Sequence, residues 1–506
     1  MSQDQSYLQA LSLLNSSRRQ ARPNKPDVNP PHPDPSFSHM PQTTPDLRGT
    51  PSLVGMSEWL AHLGHTQSSL AKLNIVHVAG TKGKGSTCAF TRSLLEAHGR
   101  RTGWPRPSKV GMYTSPDLIH IRERIQIAGR PLSEEMFAKY FFEVWNVVSK
   151  TERRPRFLQL LCLMSFQAFL REGMDVAIIE THHGGEFDAT NIIERPCVTA
   201  VTSIGMDHLK QLGPTIENIA WHKAGIFKTG AAAVTIAQRS DVVAVLKERA
   251  EERGALLKVV DVRNDLPDEI ALRAPVQKLN CSLAITIVDE LLQRLRGERL
   301  AAEDIVHGVQ QFSWPGRFQH ISQGCDQWYL DGAHNELSIK QAVEWFGKCL
   351  QDRSRANSSA ARIVIFSHIS NGRDGVELLL CLKRAVQDSG VSPSHVIFTT
   401  YQERRDGRMR PDKTLQDPAA GASQLPRTYP EIWKGGSESK TENVSFEPCI
   451  EDALEEARIV GAEHGGMHVL ITGSLHLVGG ALHLLQDDPV QHRDCHIIHN
   501  PSCHKE

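Results

Sequence analysis

Apolar and polar positions alternate in blocks over most of the chain, and these blocks predict an α/β fold. From about residue 57 to about residue 310, short apolar runs typical of buried strands are separated by helix-compatible segments. A second series of the same kind runs from about residue 328 to about residue 485, with strand-like segments at 362–366, 395–399 and 468–472. We therefore predict a larger N-terminal domain with a parallel-rich sheet and a smaller, Rossmann-like C-terminal α/β domain.

The segments between these blocks set the domain boundaries that we expect. Residues 1–56 combine helical apolar spacing at 5–15 with a stretch rich in Pro, Ser, Asp and Asn at 20–51, which predicts a helix followed by a flexible linker. The larger domain is expected at 57–312, an interdomain linker at 313–324, the smaller domain at 325–486 and a flexible tail at 487–506. The polar stretch 403–445 is expected to be an exposed insertion.

Charge and composition narrow the class of protein. The 506 residues include 57 basic and 58 acidic ones, a net charge of -1, so no charge excess points to nucleic acid or a membrane surface as partner. No apolar run has the length of a transmembrane helix, and residues 1–20 lack the core of a secretory signal. The ten cysteines are scattered along the chain, which favours free thiols in a reducing compartment over a disulfide framework. We expect a cytoplasmic monomer; a mitochondrial form made from another start codon stays open.

The most informative segment, at 74–87, reads Asn-Ile-Val-His-Val-Ala-Gly-Thr-Lys-Gly-Lys-Gly-Ser-Thr. An apolar run, a glycine-rich turn and a helix-compatible segment follow one another, which is the order of a phosphate-binding loop. Lys84 can reach the outer phosphates of a nucleotide, and the Ser86 hydroxyl can ligate magnesium. Because Gly85 separates the lysine from the serine, the loop departs from the plain Walker A pattern.

Two further strand-like segments end in residues that suit metal binding. The run 175–180 ends at Glu180, and the run 197–204 leads to His208. In doubly wound sheets the working residues gather at the carboxyl ends of strands, and a carboxylate there is a suitable magnesium ligand. His208 can ligate a second metal, although isolated histidines are more often structural. Lys223, near the end of the next helix-like segment, looks by itself like an ordinary solvated charge.

The region where the domains should join carries its own charged residues. Arg317 follows Trp-Pro-Gly, and it either caps a domain linker or supplies a fixed cation for phosphate charge. Asp331 and His334 follow the strand-like segment that begins at Trp328. We predict that both face a nucleotide held between the domains.

These motifs together resemble one known family. The chain is similar to the folylpolyglutamate synthases of the Mur ligase superfamily, ATP-driven enzymes that join an amino acid to a carboxylate, and it most resembles the fungal members. The similarity runs from about residue 7 to about residue 485. Besides the loop at 80–86 it is carried by Tyr-Thr-Ser-Pro-Asp-Leu at 113–118, Arg-Glu-Arg-Ile at 122–125, Lys-Ala-Gly-Ile at 223–226, Trp-Pro-Gly-Arg at 314–317, Asp-Gly-Ala-His at 331–334 and Thr-Gly-Ser-Leu-His-Leu-Val-Gly-Gly at 472–480.

The resemblance implies a P-loop ATPase fold for the larger domain and roles for particular residues. The ATP phosphates are expected on Gly80, Thr81, Lys82, Gly83, Lys84, Gly85 and Ser86. Two magnesium sites are expected, with ligands from Ser86, Glu180, His208 and a carbamylated Lys223. Further nucleotide contacts are expected from Asn280 at the adenine and from Arg317, Asp331 and His334. Ser115 and Asp117 are expected at the folate site, and the expected catalytic set is Lys84, Lys223, His208 and Arg317.

The reaction that the resemblance implies joins L-glutamate to a folate. The γ-carboxylate of the folate attacks the γ-phosphate of ATP to give an acyl phosphate, and the amine of glutamate then displaces phosphate. ADP, phosphate and a folate longer by one glutamate are the products. Fixed cations and magnesium offset the charge on the transferring phosphoryl group.

Three departures from the family pattern keep alternatives open. Asp117 stands where the family usually has histidine, His182 stands where it has glycine, and the segment before Arg373 differs. His182 and His183 are either new metal or substrate contacts or tolerated loop residues. The alternatives to the folate ligase are a paralogous amide ligase for another carboxylate and a catalytically weak nucleotide-binding protein. The histidines and cysteines of the tail form either a metal site or part of a flexible tail; they are Cys495, His496, His499, Cys503 and His504.

Overall fold

The computed structural model describes residues 6–18, 51–353, 359–369, 374–413, 425–435 and 443–487. The chain divides into two compact units, Met1–Trp314 and Pro315–Glu506. The division falls inside the segment 313–324 that the sequence indicates as a linker. The tail cysteines and histidines lie outside the described residues, as does most of the stretch 20–51.

The first unit is built on an eight-stranded sheet in the order β4-β3-β2-β5-β1-β6-β7-β8. Its central strands are parallel, and only the β2–β3 and β3–β4 pairs are antiparallel. All four residues of β1 and all five of β5 are buried, which explains why most of their residues are apolar. The strands are Val76–Ala79 (β1), Val110–Tyr113 (β2), Ile125–Ile127 (β3), Arg130–Pro131 (β4), Val176–Glu180 (β5), Val198–Val201 (β6), Ala232–Ile236 (β7) and Leu256–Val260 (β8).

Helices cover the first sheet, and the one that follows β1 lies at the centre of the packing. It begins after Gly83 and ends before Gly103, both in the left-handed conformation that favours glycine, and it packs against the helices Pro275–Arg296 and Ala302–Gln310. The helices are Tyr7–Ser16 (α1), Met56–His62 (α2), Gln67–Ala71 (α3), Lys84–Thr102 (α4), Glu134–Val148 (α5), Phe157–Arg171 (α6), Leu209–Leu212 (α7), Ile216–Ala224 (α8), Ser240–Glu252 (α9), Pro275–Arg296 (α10) and Ala302–Gln310 (α11).

The second unit has a six-stranded sheet in the order β13-β12-β11-β14-β10-β9. All neighbouring strands are parallel except β9 and β10. The strands are Gln319–Gln323 (β9), Asp326–Asp331 (β10), Ala361–Phe366 (β11), His395–Thr399 (β12), Asn443–Glu447 (β13) and Met467–Thr472 (β14). The described helices are Glu336–Arg353 (α12), Gly375–Asp388 (α13), Leu425–Lys434 (α14), Ile450–Glu463 (α15) and Leu475–Asp487 (α16).

Two mostly parallel sheets with helices confirm the fold class expected from the sequence. The structure differs from two local expectations in part. Part of the predicted linker is strand β9, which pairs with β10 across a turn at Gly324. Part of the predicted exposed insertion is helix α14, because Tyr429 and Trp433, one turn apart, are both buried against α13, β12 and β13.

Two general expectations can be compared with the described residues. None of the helices among them is both long and apolar enough to cross a membrane. Each cysteine among them is a free thiol, and all but Cys325 are buried.

Candidate active site

The phosphate-binding loop lies between β1 and α4, as its sequence indicates. Gly80 and Gly83 adopt φ angles of 146° and 87°, which side-chain-bearing residues rarely reach. A β-carbon built on Gly80 would overlap Thr202 Oγ1, and one on Gly83 would overlap Asn280 Oδ1. Both glycines are therefore required by the backbone conformation and by close neighbours.

The loop is fastened to the end of β6 by hydrogen bonds that the loop sequence alone does not indicate. The backbone nitrogens of Thr81 and Lys82 donate to the carbonyl oxygen of Ser203 at 2.8 and 3.2 Å. The hydroxyl of Thr202 donates to the carbonyl oxygen of Lys82 at 2.7 Å. These bonds hold the loop open beside the carboxyl end of the sheet.

Gly85, the residue that breaks the Walker A spacing, packs under an aromatic ring. A β-carbon on Gly85 would lie 2.8 Å from the Trp314 indole. The sequence places Trp314 in the Trp-Pro-Gly-Arg motif but gives no sign of this contact, since the two residues are far apart in the chain. The indole thus accounts for the additional glycine.

Lys84 and Glu180 meet at the carboxyl ends of two adjacent parallel strands, β1 and β5. Lys84 Nζ lies 3.7 Å from Glu180 Oε1, and the two side chains are 15% and 3% exposed. The backbone nitrogen of Ser115 donates to Glu180 Oε2 at 3.3 Å. A buried carboxylate is thus held beside the lysine that the sequence assigns to the phosphates, with Ser86 buried in the first turn of α4.

Lys223, unremarkable in sequence, is buried at the base of the phosphate loop. Its Nζ donates to the carbonyl oxygen of Gly80 at 2.7 Å, and the residue is only 2% exposed. Burial, together with the nearby Lys84 charge, holds the pKa of Lys223 well below its usual range. A β-carbon on Gly185 would lie 2.7 Å from the Lys223 carbonyl oxygen, so the loop after Glu180 packs directly on the helix that carries this lysine.

His208 directly precedes α7 and adopts a left-handed conformation, with φ at 54°. Its ring lies against that of His183, with centroids 4.6 Å apart. The neighbouring Asp207 faces Lys82, at 3.5 Å between Oδ2 and Nζ. The segment after β6 thereby places a carboxylate at the phosphate loop and an imidazole against the loop that follows Glu180.

The donors at this edge fit magnesium in chemistry. A hydroxyl and a carboxylate, from Ser86 and Glu180, are the oxygen ligands that magnesium prefers. The Glu180 carboxylate is buried beside Lys84, where it would hold a divalent cation together with Ser86. Within the described ranges, no group of three or more His, Cys, Asp or Glu side chains is arranged for a metal. Lys223 in its unmodified form adds no oxygen ligand, so the expected ligand set depends on its carbamylation.

The predicted substrate residue Asp117 is paired within the protein. Arg124 Nε donates to Asp117 Oδ1 at 2.6 Å, and both side chains are less than 10% exposed. Burial would raise the pKa of Asp117, but the Arg124 charge and hydrogen bond outweigh this and lower it. The added negative charge that the sequence indicates near the substrate is therefore offset by Arg124. Assignment of Ser115 and Asp117 to the substrate stays a prediction.

The remaining nucleotide residues occupy defined positions. Asn280 lies on α10 beside Gly83, and its Nδ2 donates to Gln277 Oε1 at 2.9 Å. In the second unit, Asp331 Oδ2 accepts from the Phe318 backbone at 2.9 Å, and a ring nitrogen of His334 lies 2.9 Å from the Gly332 carbonyl oxygen. The Arg317 guanidinium lies against Gly332. The second unit thus groups Arg317, Asp331 and His334 at the end of β10, and their nucleotide contacts stay a prediction.

Sequence reasoning missed several residues that shape the site. Thr202 and Ser203 position the phosphate loop, and Asp188 accepts hydrogen bonds from the backbone of the loop after Glu180. The position of Asp188 in a turn-rich segment was a usable signal, because an aspartate in such a loop commonly bonds to nearby backbone nitrogens. The hydroxyls at the end of β6 gave no signal beyond their place at a strand end.

Comparison with known proteins assigns the chain to a family. No protein-family model matches it. Folylpolyglutamate synthase of Neurospora crassa is 39% identical over 463 residues, covering 86% of this chain and 85% of the relative. Folylpolyglutamate synthase of Saccharomyces cerevisiae is 37% identical over 464 residues, covering 87% of this chain and 82% of the relative.

Solved structures agree with this at the level of the fold. Mycobacterium tuberculosis folylpolyglutamate synthase complexed with ADP has a TM-score of 0.68 at 22% identity, covering 96% of this chain and 99% of that one. E. coli FolC in complex with DHPP and ADP has a TM-score of 0.64 at 23% identity, covering 95% of this chain and 98% of that one. With the higher identity and wide coverage of the fungal relatives, the chain belongs to the folylpolyglutamate synthase family.

Proposed function

We propose that this chain is an ATP-dependent ligase that adds L-glutamate to the γ-carboxylate of a folyl-(poly)glutamate and forms ADP and phosphate. The fungal relatives are named for this activity, and the match covers most of their length. The single observation that carries the proposal is the phosphate loop between β1 and α4, where Lys84 stands 3.7 Å from the buried Glu180 and Lys223 supports the loop from below.

The residues of the first unit have separate roles in phosphoryl transfer. The backbone nitrogens of the loop and the start of α4 receive the phosphates, because a helix N-terminus carries partial positive charge. Lys84 offsets charge on the transferring group, while Glu180 fixes the position of its ammonium group. Magnesium, held by Ser86, Glu180 and His208, would neutralise phosphate charge. Water must be kept from the acyl phosphate until the glutamate amine attacks the acyl carbon.

Carbamylation of Lys223 is part of the proposal. A neutral amine is the form that adds to carbon dioxide, and burial favours the neutral form of this side chain. The modified side chain would supply carboxylate oxygens next to the phosphate loop. Incubation with ¹³C-bicarbonate should give a carbamate carbon signal by NMR that is absent in Lys223→Arg. If wild type and variant gave the same spectrum, the modification would be excluded.

The activity is tested with purified protein, ATP, magnesium, L-glutamate and tetrahydrofolate, by measuring ADP release together with the mass of the folate. We expect folate species longer by glutamate units, and a loss of at least about 100-fold in turnover in Lys84→Ala. Lys139→Ala removes a lysine on α5, next to Tyr140, and should keep wild-type turnover.

Two other results would replace the proposal. ADP release with another carboxylate, but none with folate, would identify the paralogous amide ligase, the alternative that the departures at Asp117 and His182 left open. Binding of ATP with no turnover on any acceptor would identify a nucleotide-binding protein. The monomeric state, the cytoplasmic location and the nucleotide contacts of Arg317, Asp331 and His334 stay predictions.

A further inference from the structure

A buried histidine connects two segments that flank Glu180. His182 lies two residues after the end of β5, and its side chain is 2% exposed. Its Nε2 is 2.6 Å from the hydroxyl oxygen of Tyr113, the last residue of β2. Its Nδ1 is 3.3 Å from Oδ1 of Asp188. One ring therefore joins the end of one strand to the loop that follows another.

Asp188 holds the far side of this connection. Its Oδ2 accepts from the backbone nitrogens of His182 and His183 at 3.1 and 2.9 Å, and its Oδ1 accepts from the backbone and hydroxyl of Thr190 at 3.0 and 2.8 Å. A carboxylate with several donors keeps a loop in one arrangement. On the near side, the Tyr113 hydroxyl and Nε2 of the His182 ring share a hydrogen bond of 2.6 Å.

The Tyr113 end of the connection reaches the segment assigned to the substrate. Tyr113 directly precedes residues 114–118, in which the backbone nitrogen of Ser115 donates to Glu180 at 3.3 Å. The next residue, Thr114, donates from its backbone to the carbonyl oxygen of Arg124 at 2.9 Å. A displacement of the Tyr113 ring would therefore be transmitted to the backbone that contacts Glu180.

The same contacts decide between the roles that the sequence leaves open for His182. Nε2 is hydrogen-bonded to the Tyr113 hydroxyl, and Nδ1 faces the Asp188 carboxylate at 3.3 Å, so protein groups enclose the ring. The ring is buried against Tyr113 in an edge-on contact, with centroids 5.5 Å apart. The ring therefore lies between Tyr113 at the end of β2 and Asp188 in the loop after β5.

We propose that His182 is a positioning residue for the acceptor substrate. Through the Tyr113 hydroxyl it fixes residues 114–118 against Glu180, so that the acceptor carboxylate is held in line with the phosphoryl group. This inference rests on the proposed function, since it assigns the acceptor to that segment. His182 does not touch the reacting atoms and acts through Tyr113.

The first test removes one hydroxyl. Tyr113→Phe should raise the KM for tetrahydrofolate about tenfold, the effect of losing one buried hydrogen bond, with a much smaller change in kcat and unchanged ADP affinity. Tyr140→Phe is the matched control, because it removes a buried hydroxyl that bonds Glu172 from helix α5. An unchanged KM in Tyr113→Phe, or the same change in the control, would overturn the proposal.

The second test removes the ring and restores it. His182→Gly should show the same rise in KM, and added imidazole should reverse it by filling the vacated space. In the double variant Tyr113→Phe/His182→Gly the two effects should not add, because both remove one connection. Additive effects, or no reversal by imidazole, would count against the connection.

A third measurement does not depend on activity. Hydrogen–deuterium exchange of peptides covering residues 111–120 should become faster in Tyr113→Phe and His182→Gly, while peptides from the second unit stay unchanged. Exchange that is unaltered at 111–120 would refute the inference even in an active enzyme. Absence of any folate product in wild type would instead refute the proposed function, whatever the exchange result.

Discussion

Burial decides what individual charged residues of this protein do. From its sequence context Lys223 looks like a solvated cation. Its burial beneath the phosphate loop lowers its pKa and makes it a candidate for modification. Asp117 looks in sequence like an anion introduced beside an anionic substrate, and Arg124 offsets its charge. In both cases the residue type was known from the sequence, and its partner was not.

The Asp117–Arg124 pair leads to a prediction about stability. Asp117→Asn should lower the free energy of unfolding by about 3 kcal/mol, because it leaves the buried Arg124 charge without its partner. Urea unfolding measures this loss. Asp265→Asn is the control, since that aspartate pairs with Arg263 at the surface with a side chain 64% exposed, and it should cost less than about 1 kcal/mol. Equal losses in the two variants would show that the buried pair has no special weight.

Among the elements, the connection between β1 and α4 matters most. Its glycines are recognisable in sequence, but the reason for each is a tertiary neighbour: Thr202 for Gly80, Asn280 for Gly83 and Trp314 for Gly85. The order strand, loop, helix follows from the local pattern, whereas the shape of the loop depends on the adjacent strand β6 and on α10. Substitution of a single glycine therefore tests the element as a whole.

Gly80→Ala should disable the loop. A β-carbon there would overlap Thr202 Oγ1, and the φ angle of 146° is unfavourable for alanine. We expect a lower melting temperature and loss of the stabilisation that ADP gives, both measured by thermal shift. Gly103→Ala, at the other end of α4, has a φ angle of 84° and no neighbour within 4 Å. The Gly103→Ala variant should lose about 1 kcal/mol to backbone strain and keep the stabilisation by ADP. Stabilisation by ADP that survives in Gly80→Ala would contradict the prediction.

At the scale of the whole molecule, each unit has its own sheet and its own buried polar clusters. In the second unit, Glu403 is 2% exposed and receives Arg410 and Lys413 at 2.6 and 2.9 Å. Burial would raise the pKa of Glu403, but the Arg410 hydrogen bond and the Lys413 charge outweigh it and lower the pKa to about 2. The second unit therefore contains a carboxylate whose ionisation stabilises the folded state.

This lowered pKa predicts an acid-dependent loss of stability. The contribution is complete above the unfolded pKa near 4.5 and is lost as the pH falls towards about 2, with a total of about 3 kcal/mol. Urea unfolding of wild type and Glu403→Gln at a series of pH values measures it. The difference between the two proteins should be largest near neutral pH and shrink in acid. A difference that does not change with pH would rule out this origin.

Much of the fold and part of the site could be predicted from the sequence. The fold was predicted from apolar periodicity, and the site from residues at strand ends and glycines. The alternation of strands and helices follows from local apolar periodicity, which explains why both sheets were expected and why helix α14, short and set in polar sequence, was missed. The loop residues and Glu180 were found because strand ends and glycines have local signals. Thr202, Ser203 and Asp188 were missed, since their importance lies in which backbone groups they meet.

The sequence by itself determined that this chain has two α/β units, a phosphate loop at 80–86 and carboxylate and imidazole groups at strand ends, because each of these depends on residues close together in the chain. Only the tertiary structure decided that Trp314 covers Gly85, that Arg124 neutralises Asp117, that Lys223 is buried against Gly80, and that His182 joins Tyr113 to Asp188. The Asp117–Arg124 and His182–Asp188 contacts join residues seven and six positions apart, and the others join residues far apart in the chain. All of them set charge and position through burial and geometry, which no local pattern records.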